Sequence, residues 1–411
     1  MIKPGTDLTL QYGTSIQIDA LLGAGGEGAV YHARNRKSSV PGVFKILKNR
    51  TSEKVRRTKF LADLRLNEMS ELFCAPTDFI DNGHLGHFSP FAPGVLLGQH
   101  LETPGNQYPE TMKLAIAFCH AHARLNELHL GQGDVGLTNA MVHVTPAGPE
   151  FRLIDFDNYF AVNLPPPTSF GQEERMAPEL RKAWKSGHWV TPDELSDRYA
   201  IATVVHDMLL AKSVAAGFDL TPEMFDQAMT GGWPHDPVYG RSPADSGGYP
   251  STILNVELAG MFRRGFSVKR EDRPSAVAWT KVLSENFLQI WVDPACQGPS
   301  FLDFSKTHCP HCGRRFPSLK LEFTALNKTI VCDSASVSIG RTDLLSPKVS
   351  SLHAIIRKFG PETRLQPLGQ NGTFRGNGNS WKRLETEAII QKGDQLRFAD
   401  VSCVVEEVVL A

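Results

Sequence analysis

The first residues with the types and spacing for chemistry form a glycine cluster near the start of the chain. Gly23, Gly25 and Gly28 precede Val30, and Lys45 stands in the next apolar run. Glycines lack the side chains that would keep backbone N–H groups away from a phosphate, and a lysine ammonium adds a compact positive charge. The cluster leads into a strand-like run, whereas a dinucleotide site would lead into a helix. We therefore expect a glycine turn between two strands, a feature that is common in sheets and does not by itself define a ligand.

Further along, carboxylate and amide side chains occur in three short segments. Asp134 and Asn139 share the segment GDVGLTN, Asp155 lies in LIDFD, and Glu179 ends the tripeptide APE. Carboxylate and amide oxygens are ligands that Mg²⁺ accepts beside phosphates. Each segment alone would be read as a turn or a capped helix, but such a reading does not explain their joint order.

Together these segments resemble the motifs of bacterial-type Ser/Thr protein kinases, in that family's own order. The resemblance implies that Lys45 holds the α and β phosphates of ATP and that Asp134 accepts or orients the proton of the substrate hydroxyl. It implies that Asn139 and Asp155 hold Mg²⁺ and that the γ-phosphoryl group passes to Ser or Thr of a protein substrate. The implied nucleotide site consists of Gly23, Gly25, Gly28, Val30 and Lys45.

Two further segments match structural elements of kinases. Ser196-Asp197 resembles the start of the central helix of the larger lobe, and Arg273 resembles the arginine that pairs with Glu179. The resemblance implies that Glu179 supports the activation segment.

The sequence also departs from the kinase pattern. Gln132 stands where a histidine usually precedes the catalytic loop, and Asp157 ends the metal motif in place of glycine. The acid that should pair with Lys45 stays open among Glu53, Asp63 and Glu68. Two rival functions follow: a pseudokinase scaffold without turnover, which Asp134, Asn139 and Asp155 disfavour, and a small-molecule kinase, which the APE segment disfavours.

A second group of residues lies near the C-terminus. Ile339-Gly340-Arg341, then Ser350, Ser351 and His353, then Asn371-Gly372 resemble the pattern of forkhead-associated (FHA) domains. Phosphate recognition needs charge-assisted donors of fixed geometry, which suits Arg341 and Ser350. By resemblance, Ser351 is a further phosphate neighbour, Asn371 holds the peptide main chain, and His353 braces the loops. The implied partners are proteins that contain phosphothreonine.

The third group is a Cys/His segment between these two regions. Cys309-Pro-His-Cys312 followed by glycine has the turn typical of a zinc knuckle, and Cys296 and His308 lie close enough in sequence to complete four ligands. His311 or Cys332 could replace one of them. The alternatives are a redox pair and buried free thiols.

The LIDFD metal motif and the C-terminal appendages also resemble bacterial kinases grouped with tellurite-resistance proteins. That fold-level analogy implies a von Willebrand A-type protein and a metal-dependent phosphatase as partners. Thr168 and Ser169 lie between Asp155 and Glu179, where kinases are commonly phosphorylated. Thr168 is a candidate ligand of the FHA region, or else part of a solvated loop after three prolines.

Short apolar runs with turn residues predict strands from about residue 15 to 48, and apolar spacing predicts helices at 53–72, 110–130, 197–210, 253–262 and 275–290. Beyond residue 319, many short runs between turns predict a β-sandwich. We expect an α+β bilobal kinase fold over 12–290, a small Cys/His knuckle or linker over 291–318, and an all-β FHA sandwich over 319–411.

Composition excludes several other classes. A chain of 411 residues is long for one hydrophobic core, and 41% hydrophobic with 21% charged residues is typical of globular domains. With 43 basic against 44 acidic side chains, bulk charge recruits neither nucleic acid nor an anionic membrane. The sequence shows neither a signal peptide nor a membrane span, so we expect a cytoplasmic protein.

Overall fold

A computed structural model describes residues 2–164, 172–188, 190–218, 226, 228, 230–240, 246–303, 306–332, 334–376 and 380–408. Thr168 and Ser169 lie outside the described residues. The chain divides into two compact units, the first comprising 1–251 and 257–288, and the second 252–256 and 289–411.

The first unit begins with a six-stranded antiparallel sheet. Alternate residues such as Ile16, Ile18, Tyr31 and Phe44 are buried on one face, as a half-buried sheet requires. In sheet order, the strands are Asp7–Thr9, Ser15–Ala24, Gly28–Asn35, Pro41–Leu47, Leu85–Pro90 and Asp78–Asp81.

The helix after the fourth strand is shorter than its apolar spacing predicts. Thr51 caps its first turn by accepting a hydrogen bond from the Lys54 N–H. The helix Ser52–Leu64 then ends at Arg65, which adopts left-handed backbone angles (φ 49°), and a separate short helix, Leu66–Met69, follows. The prediction of one helix over 53–72 is therefore wrong, because a left-handed residue cannot continue an α-helix.

The rest of the first unit is mainly helical around one buried helix, Glu194–Leu210. Its apolar residues point in all directions, and only a helix surrounded by other elements can bury such a surface. Further helices among the described residues are Leu97–Glu102, Tyr108–Glu127, Pro178–Lys185, Val256–Gly265 and Ala276–Phe287. Short strands complete the unit, namely Val95–Leu96, Ala140–Thr145 and Gly148–Leu153 in one sheet, and Leu130–Gly131 with Phe160–Ala161.

The second unit is all-β apart from single helical turns. It starts with a hairpin of Ile290–Val292 and Pro299–Phe301 and continues as two sheets that share one apolar core. The larger sheet contains, in order, Lys328–Cys332, Leu319–Phe323, Val401–Glu407, Gln395–Phe398, Thr373–Gly376 and Trp381–Leu384. The smaller contains Ser336–Ile339, Ala354–Phe359, Glu362–Pro367 and Ala388–Ile390.

At this level the structure confirms a mixed α/β N-terminal region and an all-β C-terminal region. The predicted pairing of Arg273 with Glu179 is also confirmed, since two N–H···O contacts of 2.8 Å join the groups. In the part of the chain that the structure describes, no helix has the length and apolar character needed to cross a membrane.

This ion pair should contribute strongly to stability, because the Arg273 side chain is 0% exposed. Replacing Glu179 with Gln leaves a buried guanidinium without its charge partner, which costs about 3 kcal/mol. We expect Glu179→Gln to lower the free energy of unfolding by that amount in urea titrations followed by helical circular dichroism.

The matched control is Glu194→Gln, which breaks the partly exposed pair with Arg198 and should cost about 0.5 kcal/mol. Equal losses in the two variants would contradict the structural role of the Arg273–Glu179 pair.

Candidate functional site

The glycine cluster forms the turn between the strands Ser15–Ala24 and Gly28–Asn35. The Gly25 N–H donates to the Gly28 carbonyl at 2.8 Å and closes the turn. A Cβ at Gly28 would lie 2.0 Å from the Ile46 carbonyl oxygen, so no larger residue fits there without a backbone shift. At Gly23 and Gly25 an added Cβ would meet nothing within 4 Å, so one side of the turn is open to a ligand.

Beside this turn lies a cavity of about 230 Å³ with mostly apolar walls. Its lining includes Leu22, Val30, Val43, Met141 and Ile154, with Lys45 and Asp155 as its charged members. An apolar cleft with a few converging polar groups is the usual form of a small-molecule site. Of the predicted nucleotide-site residues, Val30 and Lys45 line this cavity, and the three glycines lie in the adjoining strands and turn.

Lys45 is held between two carboxylates. Its Nζ lies 3.0 Å from Asp155 Oδ1 and 2.5 Å from Asp157 Oδ2, and Glu27 Oε2 follows at 3.8 Å. Burial alone would lower the pKa of the Lys45 ammonium, but the charges of Asp157 and Asp155 outweigh it and raise the pKa above its ordinary value. Lys45 therefore stays a cation.

Asp157 is itself held by a second partner, His87. The Asp157 Oδ1 and His87 Nε2 are 3.0 Å apart, and both side chains are largely buried. Burial would raise the pKa of Asp157, but the hydrogen bond with His87 and the charge of Lys45 outweigh it and hold the pKa below its ordinary value. Asp157 is thus an ionised carboxylate that fixes the Lys45 side chain.

Within the described residues, Lys45 contacts none of the three acids that were its candidate partners in the sequence. Glu53 pairs with Arg57 at 3.0 Å, Asp63 accepts a hydrogen bond from the Tyr12 hydroxyl, and Glu68 pairs with Arg65 at 3.2 Å. The partner is instead Asp157, which in the sequence marks a departure from glycine. The sequence signal for this partner of Lys45 was the additional acid two positions after Asp155.

Asp134 and Asn139 lie in one hydrogen-bonded loop. The Asn139 Nδ2 donates to the Asp134 carbonyl at 2.7 Å and to Asp134 Oδ2 at 3.2 Å. The Ile154 N–H donates to the Asn139 carbonyl at 2.9 Å, which aligns this loop with the segment that carries Asp155. Burial raises the pKa of Asp134 above its ordinary value, despite the opposing hydrogen bond from Asn139.

The backbone of the same loop is anchored by Asp197 near the start of the buried helix. Asp197 accepts hydrogen bonds from the Gln132 N–H at 2.7 Å and the Gly133 N–H at 3.1 Å. Burial raises the pKa of Asp197 to about 7, although both backbone bonds oppose this. The side-chain amide of Gln132 is buried, and neither its nitrogen nor its oxygen makes a hydrogen bond within the described residues.

The predicted phosphopeptide residues lie on a single helical turn, Arg341–Leu344, and on two neighbouring loops of the second unit. The Arg341 N–H donates to the Ser350 carbonyl, and Arg341 Nε donates to the Val349 carbonyl, each at 2.9 Å. These bonds orient an exposed guanidinium that makes no ion pair within the described part of the chain.

Asn371 Nδ2 donates to the Lys348 carbonyl at 2.6 Å, and Ser351 is exposed on the Ser350 loop.

His353 braces these loops from inside, as the sequence predicts. It is fully buried, its Nδ1 accepts from the Ser350 N–H at 3.2 Å, and its Nε2 is 3.0 Å from the Gly372 carbonyl. A ring that accepts at Nδ1 and donates at Nε2 is the neutral tautomer with the proton on Nε2. Gly340 allows the close approach of the loops, since a Cβ there would be 2.0 Å from the Ser351 carbonyl oxygen.

The Cys/His segment contains a compact group of donors. Three of the four predicted ligands, Cys296, Cys309 and Cys312, come together, and the fourth member of the group is Asp293. The group does not include His308, whose Nδ1 contacts the Thr307 hydroxyl at 2.8 Å.

The two alternative ligands lie elsewhere. His311 Nε2 lies 2.6 Å from the Pro299 carbonyl, and Cys332 belongs to the core of the sandwich.

Comparison with known families identifies one part of the chain. Residues 329–399 match the model of the FHA domain family, and these residues include the loops of Arg341, Ser350, Ser351 and Asn371. The second unit therefore contains an FHA domain. A search of curated proteins finds no match for the chain.

Proposed function

We propose that this protein is an ATP-dependent Ser/Thr protein kinase whose FHA domain binds phosphothreonine peptides for signalling. The observation that carries the proposal is the convergence of Lys45 and Asp155, 3.0 Å apart, beside the cavity under the glycine turn. Asp134 and Asn139 lie in a loop that is hydrogen-bonded to the Asp155 segment. This set contains a cation, a candidate base and metal-ligand oxygens, as phosphoryl transfer requires.

The residues present fit a nucleotide with Mg²⁺. The apolar walls suit a planar base, the open side of the glycine turn leaves backbone N–H groups accessible to phosphates, and Lys45 remains charged. The Asp155 side chain is 38% exposed, so a cation can reach it. Asn139 and Asp155 would hold Mg²⁺, which would neutralise charge on the phosphates of ATP, and ATP would supply the γ-phosphoryl group.

The protein's own groups then have separate tasks. Lys45 provides a positive charge in the cavity beside the glycine turn, and the ion pair with Asp157 fixes the position of the Lys45 side chain. Asp134 accepts or orients the hydroxyl proton of the substrate, and its raised pKa makes it a better base than an ordinary aspartate. Asn139 fixes the position of Asp134 through two hydrogen bonds.

The alternative function is a pseudokinase–FHA scaffold without turnover. Asp134 and Asn139 favour the kinase, because a scaffold does not require an oriented base. The von Willebrand A-type and phosphatase partners, and the cytoplasmic location, stay predictions.

The kinase proposal predicts that Asp134→Asn and Asp155→Asn each lower phosphoryl transfer at least about 100-fold, because one loses the base and the other a metal ligand. The measurement is transfer of radiolabelled γ-phosphate from ATP with Mg²⁺ to the full chain itself and to generic Ser/Thr peptides. Asp81→Asn, which alters a carboxylate paired with Arg50 on the surface, is the control and should keep wild-type activity.

Two results would contradict the kinase proposal. Wild-type chain that binds ATP without transferring its phosphate would favour the scaffold, and undiminished transfer in Asp134→Asn would remove that residue from the site.

The FHA proposal predicts that the full chain binds members of a phosphothreonine peptide library and not their unphosphorylated forms. Losing a charge-assisted bond to phosphate costs about 1.5–3 kcal/mol, so Arg341→Ala should weaken binding roughly 10- to 100-fold. Fluorescence anisotropy with labelled peptides measures this loss. Arg364→Ala, at an arginine of the same domain that is paired with Glu362, is the control, and equal affinities of the two variants would exclude Arg341 from the phosphate site.

A further inference from the structure

Two loops of the second unit bring four metal-ligating side chains to one place. The first loop follows the strand Ile290–Val292 and carries Asp293 and Cys296, and the second carries Cys309 and Cys312. One donor atom of each side chain lies within 4.8 Å of the donor atoms of the other three. Both loops place their two donors three positions apart, the spacing of a zinc knuckle.

The distance between the sulfurs of Cys296 and Cys309 is close to that between two thiolates bound to one zinc ion. The Sγ atoms of Cys296 and Cys309 are 3.7 Å apart. In a tetrahedral site with Zn–S bonds of about 2.3 Å, two sulfurs are separated by about 3.8 Å, whereas a disulfide bond is about 2.05 Å long. A shared metal therefore accounts for the separation of Cys296 and Cys309, and a disulfide bond between them does not.

Backbone hydrogen bonds fix the turn that carries Cys309 and Cys312. The Cys309 N–H donates to the Arg314 carbonyl at 2.8 Å, and the Gly313 N–H donates to the Cys309 carbonyl at 3.0 Å. The turn depends on Gly313, whose φ of 70° lies in the left-handed region. Hydrogen bonds around a metal site orient its ligands.

Asp293 occupies the position of the fourth ligand. Its side chain is 0% exposed, and Arg314 donates to both of its oxygens at 2.8 and 2.9 Å. The Ala295 N–H donates to Oδ1 at 2.8 Å and so fixes the carboxylate within its own loop. Ligating carboxylates are usually held by further hydrogen bonds of this type.

We propose that Asp293, Cys296, Cys309 and Cys312 bind one structural Zn²⁺ ion. Three thiolates select a soft or borderline metal over Mg²⁺ and Ca²⁺, and four protein ligands close the coordination sphere. The ion joins the two loops of a short segment whose aromatic contacts include that of Trp291 with Phe316. Small segments of this kind often depend on a metal for stability.

The test uses the purified full chain, without a metal-binding tag. Elemental analysis should find one zinc per chain, and a chelator that removes it should lower the melting temperature. Zinc-free chain titrated with Co²⁺ should show the visible absorption of a tetrahedral ion and thiolate charge-transfer absorption equivalent to three cysteines. Metal-free chain of unchanged stability, iron in place of zinc, or a six-coordinate Co²⁺ spectrum would overturn the proposal.

Variants then identify the ligands individually. Cys309→Ser, Cys312→Ser and Asp293→Asn should each weaken zinc binding by at least about tenfold in competition with a chromophoric chelator, since even outer partners of ligands cost that much. Asp293→Cys should retain zinc and increase the Co²⁺ charge-transfer absorption to that of four thiolates, which tests the fourth position without removing a ligand. The controls His308→Ala and His311→Ala should bind zinc as the wild type does. Zinc affinity that is unchanged in Asp293→Asn but lost in His308→Ala would overturn the assignment of Asp293.

Discussion

The candidate site of the first unit depends on one electrostatic constraint, the confinement of the Lys45 ammonium between two carboxylates. A buried ammonium without partners would lose its proton or turn toward solvent. Asp157 and Asp155 prevent both, and His87 fixes Asp157 from the other side. Because Lys45 belongs to the sheet and Asp155 to the segment beyond the Asp134 loop, this contact joins the sheet to that segment at the wall of one cavity.

Much of this arrangement was predictable from the sequence, because the relevant signals are local. The glycine turn between strands, the helix around Asp197 and the loop from Asp134 to Asn139 each follow from short patterns of residue type. The partner of Lys45 was not predictable, since it depends on which carboxylate the packing brings to the ammonium. The left-handed Arg65 that ends the first helix was also missed. Arginine has good helix propensity, so the local sequence gives no sign that the helix ends there.

The second unit shows the same division between local and tertiary information. The loops of Arg341 and Ser350 were identified from a spaced pattern, and their match to the FHA family agrees with it. Of the four proposed zinc ligands, the three cysteines were predicted from the sequence and Asp293 was not, because an aspartate in a turn has many structural uses and histidines nearby were the more familiar ligands. In each unit, therefore, the sequence analysis missed one aspartate. Asp157 contacts the Lys45 ammonium, and Asp293 lies beside three cysteines.

The proposed kinase activity requires that Asp157, rather than an acid of the helix Ser52–Leu64, orients Lys45. The most direct measurement is kcat/KM for ATP in Asp157→Asn and Glu53→Gln, with circular dichroism to establish that both variants fold. We predict a loss of at least about tenfold, or roughly 1.4 kcal/mol of transition-state stabilisation, in Asp157→Asn. Glu53→Gln, which alters the pair with Arg57, should stay within about twofold of wild type. A large loss in Glu53→Gln together with unchanged kcat/KM in Asp157→Asn would contradict the account.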